Sequence, residues 1–282
     1  LFRSVDGEVQ DVADYIGDSY YLAKIASKVK EDVIVFCGVS FMGESAKILN
    51  PTKTVLMPDP EADCPMAHMA DPETIKKMRE QYEDLAVVCY VNSNAVLKAC
   101  SDVCVTSANA LKIVKELPNK NIYFIPDQHL ASYIAQQAPE KNILLNPGYC
   151  PIHHELSADA VKAEMRRHPD AQVLVHPECP KDVTDLADYA GSTSGILEYA
   201  KKSDAEEFII CTEKGVFHEL RKQNPKKQFY MVGEGQCCEG MKRITLQKVA
   251  DALEFYKTET VIDEKLRQDA EKPLQKMLEL SK

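Results

Sequence analysis

One spacing limits what this chain can fold into more than any other feature. Short loops bearing cysteine, Asp63-Cys64-Pro65, Tyr149-Cys150-Pro151 and Cys237-Cys238-Glu239, recur with Cys64, Cys150 and Cys238 separated by 86 and 88 residues. A helix start with a small hydroxyl residue recurs as Gly17-Asp18-Ser19, Thr106-Ser107-Ala108 and Gly191-Ser192-Thr193, with Ser19, Ser107 and Thr193 separated by 88 and 86. Two landmarks that hold one period identify a unit repeated three times.

Within the unit, apolar β-rich runs alternate with helical patterns, which reads as parallel α/β. Strands are expected over 33–37, 54–57, 86–90, 103–106, 121–125, 142–145, 172–176, 207–211 and 228–232. Amphipathic runs over 73–82, 158–167 and 216–223 read as helices between them. The expected fold is α/β, with three pseudo-threefold-related α/β/α domains that each hold a small parallel sheet. The boundaries follow the cysteine loops: residues 1–63 with 242–282, then 64–149, then 150–241. The helical runs 246–256 and 264–280 are available to pack back onto the first unit.

The first unit departs from the pattern. One period before Tyr90 and Asn92 stand Phe2 and Ser4, with no strand ahead of them. A natural chain that begins upstream is the expectation, a degenerate first unit the alternative.

Composition narrows the function. The 282 residues are 45% hydrophobic and 28% charged, and a net charge of −10 argues against a nucleic-acid binder. No apolar run approaches the roughly 20 residues of a membrane span, and no signal-peptide pattern opens the chain. Ten cysteines scattered along so long a chain do not suggest a disulfide scaffold. The expectation is a reducing cytoplasm with no membrane partner.

In parallel α/β units, ligands bind beyond the carboxyl ends of the strands. Cys64, Cys150 and Cys238 each follow such an end, and a pseudo-threefold axis brings equivalent loops together. Three thiolates suit one 4Fe-4S cluster with an iron left open, where a cluster that only carries electrons takes four. An open iron is a Lewis acid. Cys37, Cys89, Cys104 and Cys211 lie in apolar strand-like runs and read as core, while Cys179 flanks the expected pocket. Spacing alone leaves Cys237 as an alternative to Cys238.

Ser19, Ser107 and Thr193 at helix starts suit an anionic substrate, because free N–H groups and the helix dipole favour negative charge there. Plain N-capping would also select these residues. Tyr90, Asn92, His176 and Glu178 end strands on the same side, so Tyr90, His176 and Glu178 are candidates for acid–base steps. His153, one turn beyond Cys150, approaches the same place, whereas His154 reads as solvent-facing.

Nine segments then become familiar together: ADYIGDS (13–19), VSFMGESAKILN (39–50), CPMA (64–67), YVNS (90–93), TSANA (106–110), CPIH (150–153), VHPEC (175–179), GST (191–193) and CEGMK (238–242). Over nearly the whole chain they resemble quinolinate synthase, the NadA family. The resemblance implies condensation of iminoaspartate with dihydroxyacetone phosphate to quinolinate on the route to NAD, using one oxygen-sensitive 4Fe-4S cluster. It implies Cys64, Cys150 and Cys238 as ligands, with Ser19, Tyr90, Asn92, Ser107, His176, Glu178 and Thr193 on substrate. An aspartate oxidase or dehydrogenase supplying the imine is the partner such chemistry calls for. The family has His and Tyr where Phe2 and Ser4 stand, which raises a second reading: a catalytically impaired, cluster-bearing dicarboxylate-binding protein. A metal-free α/β enzyme with structural cysteines is a third.

Overall fold

The computed structural model describes residues 5–17, 19–26 and 28–282, and the backbone alone at residues 19, 20 and 23. Among the described residues, ten strands form three parallel sheets. In chain order they are β1 (Val33–Val35), β2 (Thr54–Leu56), β3 (Leu85–Tyr90), β4 (Val103–Val105), β5 (Asn121–Ile125), β6 (Asn142–Leu145), β7 (Gln172–Val175), β8 (Tyr189–Ala190), β9 (Glu207–Cys211) and β10 (Gln228–Met231).

The second and third units are built alike. Their sheets run β4-β3-β5-β6 and β8-β7-β9-β10, each with its earliest strand inside and the next strand at the edge. Register is tight: Cys89 pairs with Cys104 across β3 and β4, and Val175 with Ala190 across β7 and β8. The central strands read as unbroken apolar runs because helices cover both faces. Every residue of β3 is buried. Strand β8, only two residues long, has too little periodicity to be read from sequence.

Among the described residues, the first unit's sheet has two strands, β1 and β2, in the places of β5-β6 and β9-β10. Phe2 and Ser4 lie outside the described residues. The free edge of β2 is covered by the segment around Glu259: Met57 donates to the Thr258 carbonyl at 3.0 Å and Thr260 to that of Val55 at 2.8 Å. Covering an edge removes a template for unwanted strand pairing.

Helix starts follow capping chemistry. Asp71, Asn94, Asp127, Ser157, Ser192, Thr245 and Asp263 each accept an N–H from the first turn they precede. The helix Leu246–Phe255 packs on β1 and buries Val249 in the first unit's core. The last helix, Glu264–Leu280, does more than return to the first unit. It packs against Ser40–Leu49 of that unit, but it buries Ala270, Leu274 and Met277 in the core built on β3, β4 and β5. Those three residues recur at helical spacing, so one stripe serves one core. No helix among the described residues is long and apolar enough to cross a membrane.

Candidate functional site

Each of the three periodic cysteines sits at the same structural point, the N-cap of a one-turn helix. Cys64 precedes Pro65–His68, Cys150 precedes Pro151–His154 and Cys238 precedes Glu239–Lys242. Proline at the first helical position fixes the φ that a helix needs and lacks an N–H that would be left over anyway. Glu239 serves the third loop differently, as an acid at the positive helix end.

The three loops converge. Cys64, Cys150 and Cys238 line one cavity of about 90 Å³, with Phe41, Met42, Met66, Ile152 and Met241 as apolar wall and Asn92, His153, Glu178, Thr212 and Glu213 as polar groups. Close approach needs a missing side chain: a Cβ on Gly240 would fall 2.2 Å from the Asp63 carbonyl oxygen, so the Cys238 and Cys64 loops touch through backbone. Gly148, in the Cys150 loop, is likewise 2.5 Å from the Pro126 carbonyl oxygen by the same measure. All ten cysteines are free. Cys238 lines the cavity and Cys237 does not, the Cys237 sulfur meeting the Lys214 ammonium instead. Cys179 is buried behind the cavity, its thiol toward the Cys211 carbonyl at 3.5 Å.

Burial, and then the negative charge of Cys238, pushes the Cys64 thiol up to about 12. Burial likewise raises Cys150, aided by Glu178 and Cys64, and raises Cys238. Backbone N–H groups of Met66 and Ala67 face Cys64, and those of Met241 and Gly240 face Cys238, favouring the thiolate without overcoming burial. Three neighbouring thiols that hold their protons become thiolates when a cation replaces those protons.

Glu178 is the hub of the polar wall. It is 3% exposed, and its carboxylate receives the Tyr90 hydroxyl, Asn92 Nδ2 at 3.4 Å and His153 Nδ1 at 2.8 Å. Burial alone would raise its pKa, but His176 and His153 outweigh burial and hold it well below the ordinary carboxylate value. Glu178 is therefore an anion at neutral pH. His153 Nδ1 is also 3.1 Å from Cys150 Sγ, and its Nε2 lies 2.9 Å from the Thr212 hydroxyl. His176 is fully buried, its Nδ1 3.3 Å from the Glu178 backbone N and its Nε2 3.3 Å from Ser107 Oγ. The rings of His153 and His176 stack with centroids 4.9 Å apart.

The structure thus brings together Tyr90, Asn92, His153, His176, Glu178, Ser107 and the three cysteines. Ser107 does not open a helix as expected: it lies in the turn before Ala110–Glu116, because Asn109 folds back to accept the Thr106 N–H at 2.6 Å. Thr193 does open its helix, Thr193–Lys202, but is not part of the cavity wall. Ser19 begins the helix Ser19–Ala26, and its side chain lies outside the described residues. His154 is exposed and stacks between Tyr149 and His129, away from the hub. Sequence reasoning missed Thr212 and Glu213. The available signal was position: they follow β9 where Pro126 and Asp127 follow β5, 86 residues earlier.

The family model described as "Quinolinate synthetase A protein" matches residues 4–279. A quinolinate synthase of Fusobacterium nucleatum is 51% identical over 277 residues, 98% of this chain and 92% of that protein. Those of Caldicellulosiruptor saccharolyticus and Clostridioides difficile are each 48% identical, over 97% and 98% of this chain and 90% of their own lengths.

Proposed function

The chain belongs to the quinolinate synthase family and carries that family's transferase function in NAD biosynthesis, and on that premise we propose that Cys64, Cys150 and Cys238 hold one 4Fe-4S cluster, beside which iminoaspartate and dihydroxyacetone phosphate condense to quinolinate with loss of phosphate and water. The observation that carries the cluster is the convergence of three thiols from three separate loops on one cavity. The donor set fits: three sulfurs, no competing disulfide, and a largely apolar wall. Bound there, a cluster with three protein ligands supplies a Lewis acid at its fourth iron.

The protein's own groups then have separable tasks. Glu178, ionised and facing the cavity, is the base that accepts a substrate proton. His153 Nδ1, at 2.8 Å, shares that proton and keeps the carboxylate oriented. The Tyr90 hydroxyl is the matching acid. Asn92, Ser107 and His176 Nε2 donate hydrogen bonds to the carboxylates of the imine, with Ser19 and Thr193 at the helix starts assigned to anionic groups of either substrate. The apolar wall of Phe41, Met42 and Met241 limits the water that would hydrolyse an imine. An imine so easily hydrolysed calls for an aspartate oxidase or dehydrogenase close by. Ten free thiols and an oxygen-sensitive cluster suit the cytoplasm.

One observation favours a second reading. Donor atoms of Cys150, His153 and Glu178 lie within 4.8 Å of one another, compact enough for a single ion. That ion would leave Cys64 and Cys238 without a role. Anaerobic reconstitution separates the two: the cluster reading expects about four irons and matching sulfide per chain, lost in Cys64→Ser, Cys150→Ser and Cys238→Ser alike. A single iron that survives Cys64→Ser would favour the lone ion. Quinolinate formation under argon by the loaded protein tests the reaction. A loaded protein that binds dicarboxylates but makes no quinolinate would be the impaired relative.

A further inference from the structure

The backbone N–H of each ligand cysteine lies outside its own one-turn helix, because an N-cap residue donates to nothing within the helix it starts. A helix of four residues is also too short to hold its shape alone. The ligand loops therefore need an outside anchor, and a buried N–H needs an acceptor. For all three cysteines the acceptor is the side chain of an acidic residue.

Asp127 spans two elements. Its Oδ1 takes the Leu130 N–H at 2.7 Å, capping Gln128–Gln137, while its Oδ2 takes the Cys150 N–H at 3.3 Å. Glu213 repeats the arrangement 86 residues later: Oε2 takes the Gly215 N–H at 2.6 Å, just ahead of Val216–Gln223, and Oε1 takes the Cys238 N–H at 3.3 Å. In the first unit the same junction holds Ser40, 87 residues before Asp127. Here the acid has moved to the other side of the link. Asp63 accepts the Cys64 N–H and is itself held by the Ser40 hydroxyl, at the start of Ser40–Leu49. Each ligand loop is thus tied to the start of the helix that lies one strand before it in the chain, although the chemistry of the tie is not the same in all three.

We propose that Asp127, Glu213 and the Ser40–Asp63 pair are the positioning residues of the three ligand cysteines, holding each loop so that the sulfurs stay aimed at a common centre. This inference rests on the cluster reading above. Outer groups that orient metal ligands typically account for 10- to 100-fold in metal affinity. Asn and Gln keep size and one accepting oxygen, so Asp127→Asn retains the helix cap while an NH₂ group replaces the oxygen facing Cys150.

The test uses anaerobically reconstituted wild type, Asp127→Asn, Glu213→Gln, the double variant and, as a gentle probe of the first unit, Ser40→Ala. Three quantities are measured: iron per chain, visible circular dichroism of the bound cluster, and the rate of iron transfer to bathophenanthroline disulfonate. The melting midpoint of each apoprotein is recorded beside them. The single carboxylate variants are expected to load iron as wild type does, to release it roughly 10-fold faster, to show an altered dichroic spectrum, and to melt unchanged as apoproteins. The double variant releases iron faster still. Wild-type release rates in the loaded variants would overturn the positioning role. So would faster release that only tracks a fall in the apoprotein midpoint, since that marks maintenance of the fold. A wild type that takes up no iron would instead remove the cluster reading beneath it.

Discussion

A methyl group on Gly240 would sit 2.2 Å from the Asp63 carbonyl oxygen and 3.2 Å from Val39 Cγ1. Backbone cannot rotate aside as a side chain can, so Gly240→Ala must part the Cys238 and Cys64 loops, at a cost of about 1–3 kcal/mol. The expected result is a lower denaturant midpoint and less iron retained per chain. Gly235→Ala is the control, because nothing lies within 4 Å of its added carbon. Equal iron retention in both variants would separate loop contact from cluster binding. Glu178 poses a different question. Glu178→Gln keeps the shape and the Tyr90 and Asn92 partners but removes the charge that faces His153 and His176. Loss of a positioned base lowers rate by roughly 10²–10⁴-fold. The expected variant holds its iron, binds substrate, and loses kcat. A variant with undiminished kcat would move the proton chemistry to another residue.

Between elements, Asp59 ties the loop after β2 to the chain that follows Cys238. It is 5% exposed and meets Lys248 Nζ at 2.6 Å, Arg243 Nε at 3.2 Å and the Glu61 N–H at 2.8 Å. Burial works to raise its pKa, but Lys248, Glu61 and Arg243 together lower it below the ordinary value. A depressed acid stabilises the fold above its unfolded pKa of roughly 3.9 and loses that stabilisation as pH falls through the folded value. Its cationic partners are half exposed, so the tie is worth about 1 kcal/mol. Asp59→Asn apoprotein should melt lower than wild type at pH 7, and the gap should close below about pH 4; a gap constant down to pH 3 would exclude the charge as its cause. Elements of this kind differ in how well the sequence announces them. The nine longer strands were legible because each is an apolar run between turn residues, and the cysteines because one period places them alike. Asp127 and Glu213 share that period, yet a lone acid after a strand looks like any helix cap until its second oxygen is seen on a cysteine N–H. Lys98 gave no signal: fully buried, it donates to the Ser93 carbonyl and lies 5.5 Å over Phe41, a placement decided by tertiary packing alone.

At the scale of the molecule, a site shared by three units works only while the units keep their mutual positions, and the last helix is the element that spans two of them. Arg267 reaches the Ile48 carbonyl of the first unit at 3.3 Å, and Leu274 is fully buried in the second unit's core. The loop carrying Cys64 lies between these anchors in the chain and bears on both cores through its sulfur. Leu274→Ala removes three buried carbons and leaves a void, which costs about 2–5 kcal/mol where a core cannot collapse. If the helix served the second unit alone, that loss would appear as a lower denaturant midpoint and nothing else. Because the same helix braces Ser40–Leu49, whose first residue holds Asp63 beside Cys64, the loosened chain should also release iron faster well below its unfolding transition. Lys276→Ala, on the exposed face of the helix, should do neither. Iron release from Leu274→Ala that stays at the wild-type rate until global unfolding begins would show that the units hold their geometry without this brace, and that the contacts among the three cysteine loops are enough.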